Sequence, residues 1–258
     1  MDIIANEVRY VEQLLSNKRL TPRKATKEIR LIVQYYLSKG FAQEEVLTLV
    51  TRFISEVNGD NSGSRWQRTI NGMIKDIVKK NDLQMREVDE VVITKKEVEV
   101  IQQLTNKRER KYAWGLLVLC KIINYGKQSQ WVTIDNASAF CKFVNLRIST
   151  ANDRELVFNG LKDKGLVVNS KMNKTSMKLL FVEDEGEVAY LMPTYNKATM
   201  QENYKTNAMN LYNLIFDEVK TYQCKYCGCY EKVEKRSKPM FCPTCAELKK
   251  RKRGVFAE

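Results

Sequence analysis

The sequence predicts a mainly α-helical chain with small β elements, divided into an N-terminal helical domain, a central winged helix-turn-helix and a C-terminal module built on four cysteines. Three observations support this prediction. Apolar residues recur at helical spacing through the first ninety positions, helical and strand-like patterns alternate in the centre, and two Cys-x-x-Cys pairs lie near the C-terminus. Hydrophobic residues make up 43% of the chain, which is enough to build a core.

The N-terminal domain is predicted to span residues 1–90 and to contain four helices. Pro22 suits the first turn of the second helix, and Gly40 suits its C-terminal cap. Residues 58–64 are rich in Gly, Asn and Ser and mark a loop. The apolar positions of the second and third helices are Ile29, Ile32, Val33, Tyr36, Leu37, Val46, Leu47, Val50, Phe53 and Ile54.

The central domain is predicted to span residues 94–195, after a polar connector at 81–93. Thr94 and Glu97 form a capping box that begins a helix, and a strongly apolar helix follows over 106–124. The later elements have the order of a winged helix-turn-helix. They are a strand at 131–133, helices at 135–143 and 150–164, and strands at 166–168 and 177–182.

The helix at 150–164 is the expected recognition helix. Polar side chains near the start of such a helix reach base edges in the major groove of DNA. The candidates on this helix are Asn152, Arg154, Asn159 and Lys162, and the candidates in or beside the wing are Lys171, Lys174 and Lys178. Three acidic residues on the same helix weaken this interpretation, and winged helices also serve as protein-interaction modules.

The C-terminal module, residues 222–258, follows a predicted linking helix at 196–221 and contains the strongest motif. Cys224 and Cys227 form one pair, Cys242 and Cys245 form the other, and fourteen residues separate the pairs. Two such turns can complete a tetrahedral shell of four thiolates around Zn²⁺. The sequence therefore predicts a zinc ribbon with four cysteine ligands and a structural ion. Cys229 is a fifth thiol beside the first pair, and it is either a bystander or a replacement ligand.

Basic charge is concentrated beside these cysteines. Residues 222–258 contain ten Lys and Arg against four Glu, in a chain whose formal net charge is +13. A basic run closes the module: Lys249, Lys250, Arg251, Lys252 and Arg253. Such a run neutralises phosphates and gives salt-sensitive affinity for nucleic acid, although it can also be only a solvated helix end.

The composition argues against enzymatic activity. The chain has no histidine, so a Ser-His-Asp or Cys-His nucleophile, a His-ligated catalytic zinc and imidazole acid–base chemistry are excluded. No glycine-rich phosphate loop is present. A nuclease that uses Glu183, Asp184 and Glu185 with a divalent cation is the remaining enzymatic alternative, and no partner motif supports it.

The apolar segments indicate a cytoplasmic protein. The first ten residues contain Asp2, Glu7 and Arg9, so they lack the apolar stretch of a signal peptide. The longest apolar run, Tyr112–Cys120, is far shorter than the ~20 residues that a spanning helix needs. In a reducing compartment, paired cysteines are expected to be metal ligands and not disulfides.

Several segments resemble a group of phage and prophage proteins from low-GC Gram-positive bacteria. The resemblance covers roughly residues 20–253 and implies a phage context and a zinc-ribbon end, without an activity. It rests on Ile93-Thr-Lys-Lys-Glu-Val, Lys107-Arg-Glu-Arg-Lys-Tyr-Ala-Trp-Gly-Leu-Leu-Val-Leu, Trp131-Val, Val182-Glu-Asp-Glu-Gly-Glu-Val and the cysteine pairs. Cys229 departs from the expected pattern.

Together these features predict a non-enzymatic DNA-binding protein that acts in transcription control or replication initiation, with double-stranded DNA as its partner. The alternative is a protein-interaction module that docks on a host polymerase, helicase or defence factor.

Overall fold

The computed structural model describes residues 3–59, 63–148, 150–171, 175–197, 199, 201–216, 220–233 and 240–254, with only the backbone described for 251–254. The chain forms two compact units. The helical unit comprises Asn6–Glu87, and the mixed unit comprises Val88–Glu258 together with Met1–Ala5.

The helical unit consists of α1 (Glu7–Asn17), α2 (Ala25–Ser38), α3 (Gln43–Asn58) and α4 (Gly63–Lys80). The Asn6 side chain caps α1 by accepting a hydrogen bond from the Arg9 N–H, and Gly40 follows α2 with φ of +86°. The apolar face of each helix is directed into one shared core. Its buried members include Val11, Ile29, Ile32, Val33, Val46, Val50, Phe53, Ile54, Ile70, Ile74 and Ile77.

The mixed unit combines helices with short antiparallel strands. Its helices are α5 (Lys95–Gln102), α6 (Lys107–Ile123), α7 (Ala137–Phe143), α8 (Ala151–Asp163), α9 (Tyr204–Phe216) and α10 (Pro243–Gly254). Its strands are β1 (Glu90–Thr94), β2 (Trp131–Thr133), β3 (Val167–Asn169), β4 (Ser176–Leu179), β5 (Val188–Pro193), β6 (Tyr195–Asn196), β7 (Gln201–Glu202), β8 (Thr221–Gln223) and β9 (Tyr230–Lys232). The prediction of a mainly helical chain with small β elements is confirmed for the described residues.

The strand β1 lies where the sequence analysis expected part of a connector. It pairs with β5, a strand about a hundred residues later, and the register places Val91 opposite Met192. Its four β-branched residues favour a strand, but local sequence does not identify the distant partner. The pairing is followed directly by α5, and Thr94 caps this helix by accepting a hydrogen bond from the Glu97 N–H.

Elements α6 to β4 form the centre of the mixed unit. The three-stranded sheet has the order β2-β4-β3, so β4 lies between the other two strands. Two helical glycines allow α7 and α8 to approach α6 closely. A Cβ on Gly115 would lie 2.1 Å from Val144 Cγ1, and a Cβ on Gly160 would lie 2.3 Å from Glu109 Oε1.

The helix α9 is shorter than the linking helix at 196–221 in the sequence interpretation, because residues 201–202 form β7. It is also part of the core. Trp114 of α6 donates a hydrogen bond from Nε1 to the Ala208 carbonyl at 2.8 Å, and its ring packs edge-on against Tyr212 and Phe216.

Across the part of the chain that the structure describes, no helix combines the length and the apolar character needed to cross a membrane.

Candidate metal centre and nucleic-acid interface

The cysteine module, which we define as β8, β9, α10 and the residues that join them, brings four cysteines together. The sulfurs of Cys224, Cys227, Cys242 and Cys245 all lie within 4.8 Å of one another, and all four residues are buried. Cys227 Sγ and Cys242 Sγ are 3.8 Å apart. Four sulfurs at 2.3 Å from a tetrahedral ion are separated by about 3.8 Å, so the geometry fits a metal of that size.

The first cysteine pair lies in the loop of the β8–β9 hairpin. The Gly228 N–H donates to the Cys224 carbonyl at 2.9 Å, and the Cys224 N–H donates to the Cys229 carbonyl at 2.9 Å. Gly228 has a φ of +71°, in the left-handed region that glycine adopts at little cost. The sequence places glycine where this tight turn requires it.

The second cysteine pair lies on the first turn of α10. The Ala246 N–H donates to the Cys242 carbonyl at 2.9 Å, which is a helical bond, so this turn needs no residue with a positive φ. This explains why Ala246 stands where the first pair has Gly228. The N-terminus of a helix also stabilises nearby negative charge, and four thiolates supply it. The Lys225 N–H donates to the Met240 carbonyl at 3.0 Å and links the two turns.

The protonation of the four thiols differs in the metal-free protein. Burial raises the pKa of Cys227 and of Cys242 to about 11, and it also raises the pKa of Cys245. Burial acts in the same direction on Cys224, but N–H groups of Cys227, Cys242 and Tyr226 point at its sulfur and lower its pKa to about 7. Cys224 is therefore partly ionised to a thiolate near neutral pH, and the metal must displace protons from the other three cysteines.

Cys229 is buried in the same module, beside these four cysteines but outside the group that they form. Its Sγ contacts the Nδ2 of Asn207 at 3.5 Å and the Tyr195 carbonyl at 3.7 Å. Among the described residues, the group that can hold a metal contains the other four cysteines and not Cys229. The geometry favours the bystander role for this thiol.

Two asparagines of α9 attach the cysteine module to the rest of the mixed unit. Asn207 accepts a hydrogen bond from the Tyr230 N–H at 3.2 Å and donates to the Pro193 carbonyl at 2.8 Å. Asn210 donates to the Tyr230 carbonyl at 2.7 Å. Both backbone groups of Tyr230 are thus satisfied by side chains, in the way that a neighbouring strand would satisfy them. Neither asparagine was predicted from the sequence, and only its buried position reveals its role.

The candidate recognition residues of α8 do not share one face. Asn152, Asn159 and Lys162 are exposed, at the spacing of one side of a helix. Arg154 is half-buried and lies close to α7. Burial raises the pKa of the Cys141 thiol on that helix, and the Arg154 guanidinium opposes the shift. The outer face of α8 therefore presents three of the four candidates.

The wing candidates are also separated. Lys171 is exposed in the connection between β3 and β4, and Lys174 lies outside the described residues. Lys178 is half-buried on the outer face of the sheet, opposite Trp131 on β2 and Val168 on β3. It borders a cleft of about 780 Å³.

The basic run lies on α10. Lys249 and Lys250 are exposed, and the Lys249 ammonium lies 4.5 Å from the ring centroid of Phe241. Arg251, Lys252 and Arg253 continue the helix, and their side chains lie outside the described part of the structure.

Of the three acidic residues that suggested a nuclease, Glu183 is paired with a lysine, and Asp184 and Glu185 are exposed. Glu183 pairs with Lys96, and Glu187 pairs with Lys95. Glu97 is fully buried, pairs with Lys121 at 2.8 Å and accepts a hydrogen bond from the Glu183 N–H at 2.9 Å. These contacts give the turn a structural role in joining α5, α6 and β5.

Comparisons of the chain with models of known protein families, with curated proteins and with solved structures found no significant match.

Proposed function

We propose that the chain is a DNA-binding protein without enzymatic activity, in which residues 107–179 form a winged helix-turn-helix and the cysteine module holds a structural Zn²⁺. In this proposal it acts in transcription control or replication initiation of a phage, in the cytosol of the bacterial host. Double-stranded DNA is the partner.

The order of elements in the mixed unit is the observation that supports this proposal most. The chain passes through α6, β2, α7, α8, β3 and β4, and β4 lies between β2 and β3 in the sheet. A winged helix-turn-helix has the same order. In such a domain the helix in the position of α8 presents its outer face to the major groove of DNA.

The exposed side chains of α8 support the same proposal. Asn159 and Asn152 can donate to and accept from the edge of adenine, and Lys162 can donate to guanine. Lys171 in the connection between β3 and β4 and the cations of the basic run can contact phosphates, which position a protein on DNA without identifying its sequence.

The donor set supports zinc as the metal. Four cysteine thiolates in a tetrahedral arrangement suit Zn²⁺ better than hard cations such as Mg²⁺ or Ca²⁺. With four protein ligands no position is left for water or substrate, so the ion would cross-link the module and supply no catalysis. When bound, it would fix the hairpin loop against the first turn of α10.

A protein-interaction module is the second candidate, and Leu156 favours it. This side chain is 68% exposed in the middle of the outer face of α8. Asp153, Glu155 and Asp163 lie on the same helix and reduce its positive charge. An exposed apolar group surrounded by acidic and amide side chains suits a docking surface on a protein.

A salt titration of duplex binding tests the proposal against this alternative. Zinc-loaded full-length protein is titrated with labelled random-sequence duplex DNA at several salt concentrations, beside the variant K249Q/K250Q. R19Q/R23Q is the matched control, since Arg19 and Arg23 are exposed cations of the helical unit. We expect measurable affinity at low salt, and a log–log slope that is smaller by about 1.8 in K249Q/K250Q than in the control.

The absence of duplex binding at any salt concentration contradicts the proposal. Capture of a specific host protein that depends on Leu156, together with no affinity for duplex DNA, would favour the interaction module. A selection from random duplexes then separates base recognition from phosphate contact, because Asn159→Ala should weaken binding to the selected site by about 1–3 kcal/mol and leave random duplex unaffected.

A further inference from the structure

The solvent face of α4 in the helical unit carries a line of cations that the sequence analysis did not identify. The chain has 15 Lys and Arg against 10 Asp and Glu between residues 6 and 87, and α4 alone has five against one. The α4 stripe, as we call it, consists of Arg65, Arg68, Lys75 and Lys79. These positions follow one another at intervals of three, seven and four residues, which places them on one side of a helix.

The α4 stripe lies opposite the face of α4 that packs into the core. Ile70, Met73, Ile74 and Ile77 are buried on the inner side, whereas all four cations are exposed. At 1.5 Å per residue the stripe is about 21 Å long. The arrangement is regular along the helix and is directed entirely to solvent.

Within the described part of the chain the four cations have no charged partner, in contrast to the other charges near them. None forms an ion pair or hydrogen bond with another described residue. Asp76, the acidic residue of α4, is bound by Lys80 at 2.8 Å and by Arg30 at 2.8 Å. The carboxylate closest in sequence is therefore already neutralised, and the stripe is left with an excess of positive charge.

Gly72 lies at the centre of the α4 stripe, and the packing does not require it. A Cβ at this position would meet no atom within 4 Å. Glycine is less favourable inside a helix than any residue but proline. Its presence here therefore weakens the helix, and no close contact within the described structure requires it. A missing side chain between two pairs of cations lets another surface approach the helix backbone closely.

We infer that the α4 stripe is a second contact surface for nucleic acid, which lies along a phosphate backbone with Gly72 at the point of closest approach. The inference rests on the proposed function and adds a contact from the helical unit. Phosphate contacts come from Arg and Lys together with Ser, Thr, Asn and Gln, and Gln67, Thr69 and Asn71 are exposed beside the stripe.

An anionic membrane surface fits this helix less well. A helix that lies on a membrane inserts large apolar side chains between the lipids. The apolar residues of α4 are committed to the core of the helical unit, and Val78, at 43% exposure, is the one large apolar side chain of this helix that the structure shows exposed. Charge complementarity without apolar insertion favours phosphates along a nucleic-acid backbone.

The first test compares two matched pairs of substitutions in the full-length zinc-loaded protein. R68Q/K75Q removes two charges from the stripe, and R19Q/R23Q removes two exposed charges elsewhere in the same unit. With labelled random duplex, we expect R68Q/K75Q to weaken binding roughly tenfold at low salt and to reduce the log–log salt slope by about 1.8. The control should bind like the wild type. Equal behaviour of the two variants would overturn the inference.

The second test uses Gly72 to separate binding from stability. Gly72→Leu replaces a poor helix former with a good one that cannot hydrogen-bond to phosphate, so the melting temperature of the helical unit should rise by roughly 4 °C. The longer side chain should also hold the backbone away from the helix and weaken duplex binding several-fold. A rise in melting temperature with unchanged binding would contradict the role of Gly72.

The outcomes separate this inference from the proposed function. If K249Q/K250Q weakens duplex binding and R68Q/K75Q does not, the α4 stripe is not a contact surface and the proposed function stands. If the wild type binds no duplex at any salt concentration, both are contradicted. Vesicles containing an anionic phospholipid provide a parallel measurement, and a loss of vesicle binding without a loss of duplex binding in R68Q/K75Q would assign the stripe to a membrane surface.

Discussion

The helical unit and the cysteine module are held together by different kinds of interaction. The helical unit buries apolar side chains from four helices, such as Ile29, Val50 and Ile74. In the described part of the cysteine module, five cysteines form one buried cluster with Phe241 partly buried beside it, and the further buried aromatic residues are Tyr222 and Tyr230. Burial of apolar area can supply the free energy of the first region. The cysteine cluster of the second region is small, so we expect the order of the module to depend on a bound metal as well as on contacts with α9.

Removal of one ligand should give the largest effect. Cys227→Ser takes away one of the four sulfurs, so we expect the protein to lose its bound zinc. Zinc binding to such a site contributes about 10–16 kcal/mol to folding, so the module should also lose its ordered structure. Cys229→Ser is the matched control, because its sulfur lies in the same module and contacts Asn207. Metal analysis of both purified variants measures the effect. Equal zinc content in the two variants would contradict the assignment of ligands.

The pH dependence of metal binding should be the next largest effect. Raised pKa values keep Cys227, Cys242 and Cys245 protonated near pH 8, whereas the Cys224 thiol has a pKa of about 7. Zinc binding then displaces about three protons above pH 7 and more below pH 7. The free energy of zinc binding therefore becomes less favourable by about 4 kcal/mol for each pH unit by which the pH falls. Calorimetry in buffers of different ionisation enthalpy counts the protons. Release of one proton or fewer would show that at least two of these three thiols are already ionised.

Loss of one asparagine contact should have a moderate effect on the module. Asn207→Ala leaves the Tyr230 N–H and the Pro193 carbonyl without partners, at a cost of about 1–3 kcal/mol. Asn213→Ala, a half-buried asparagine of the same helix, is the control. Amide hydrogen exchange of β8 and β9 should become faster in the first variant and stay unchanged in the second. Unchanged exchange in both would mean that the metal alone orders the hairpin.

A glycine pair gives stability changes of opposite sign in the two units, and the change at Gly72 is the smallest of all. Gly115→Ala should destabilise the mixed unit by about 1–3 kcal/mol, because the new Cβ overlaps Val144 Cγ1. Gly72→Ala meets open space and should stabilise the helical unit by up to ~1 kcal/mol. Denaturant unfolding followed separately for the two units measures both changes. Stabilisation by both substitutions would show that α6 and α7 can separate to accommodate a methyl group.

Local sequence patterns predict some features of both regions and not others. The four helices of the helical unit follow from apolar periodicity, and the approach of four sulfurs follows from the cysteine spacing, because both signals are local. The β-branched residues of Glu90–Thr94 favour a strand, but its pairing with β5 could not be predicted in this way, since the partner lies a hundred residues later. The roles of Asn207 and Asn210 were hidden for the same reason. Asparagine in a helix has no apolar signal, and its buried contacts exist only in the folded chain.

The α8 candidates illustrate a limit of a different kind. Asn152, Arg154, Asn159 and Lys162 were chosen by chemical type, and side-chain direction then separates Arg154 from the others. Helical spacing already contains this information, because residues 152 and 154 lie nearly opposite each other around a helix. The exposed face of α8 contains the other three candidates and Leu156. Duplex DNA and a protein are the two partners proposed for this face.

Amide hydrogen exchange before and after chelation tests most directly whether the cysteine module depends on metal while the helical unit does not. We predict that removal of the metal accelerates exchange in residues 221–232 and 240–250 and leaves the protected amides of α2, α3 and α4 unchanged. Persistent protection of the β8–β9 hairpin in the metal-free protein would contradict this account, because it would show that the module holds its structure without a central ion.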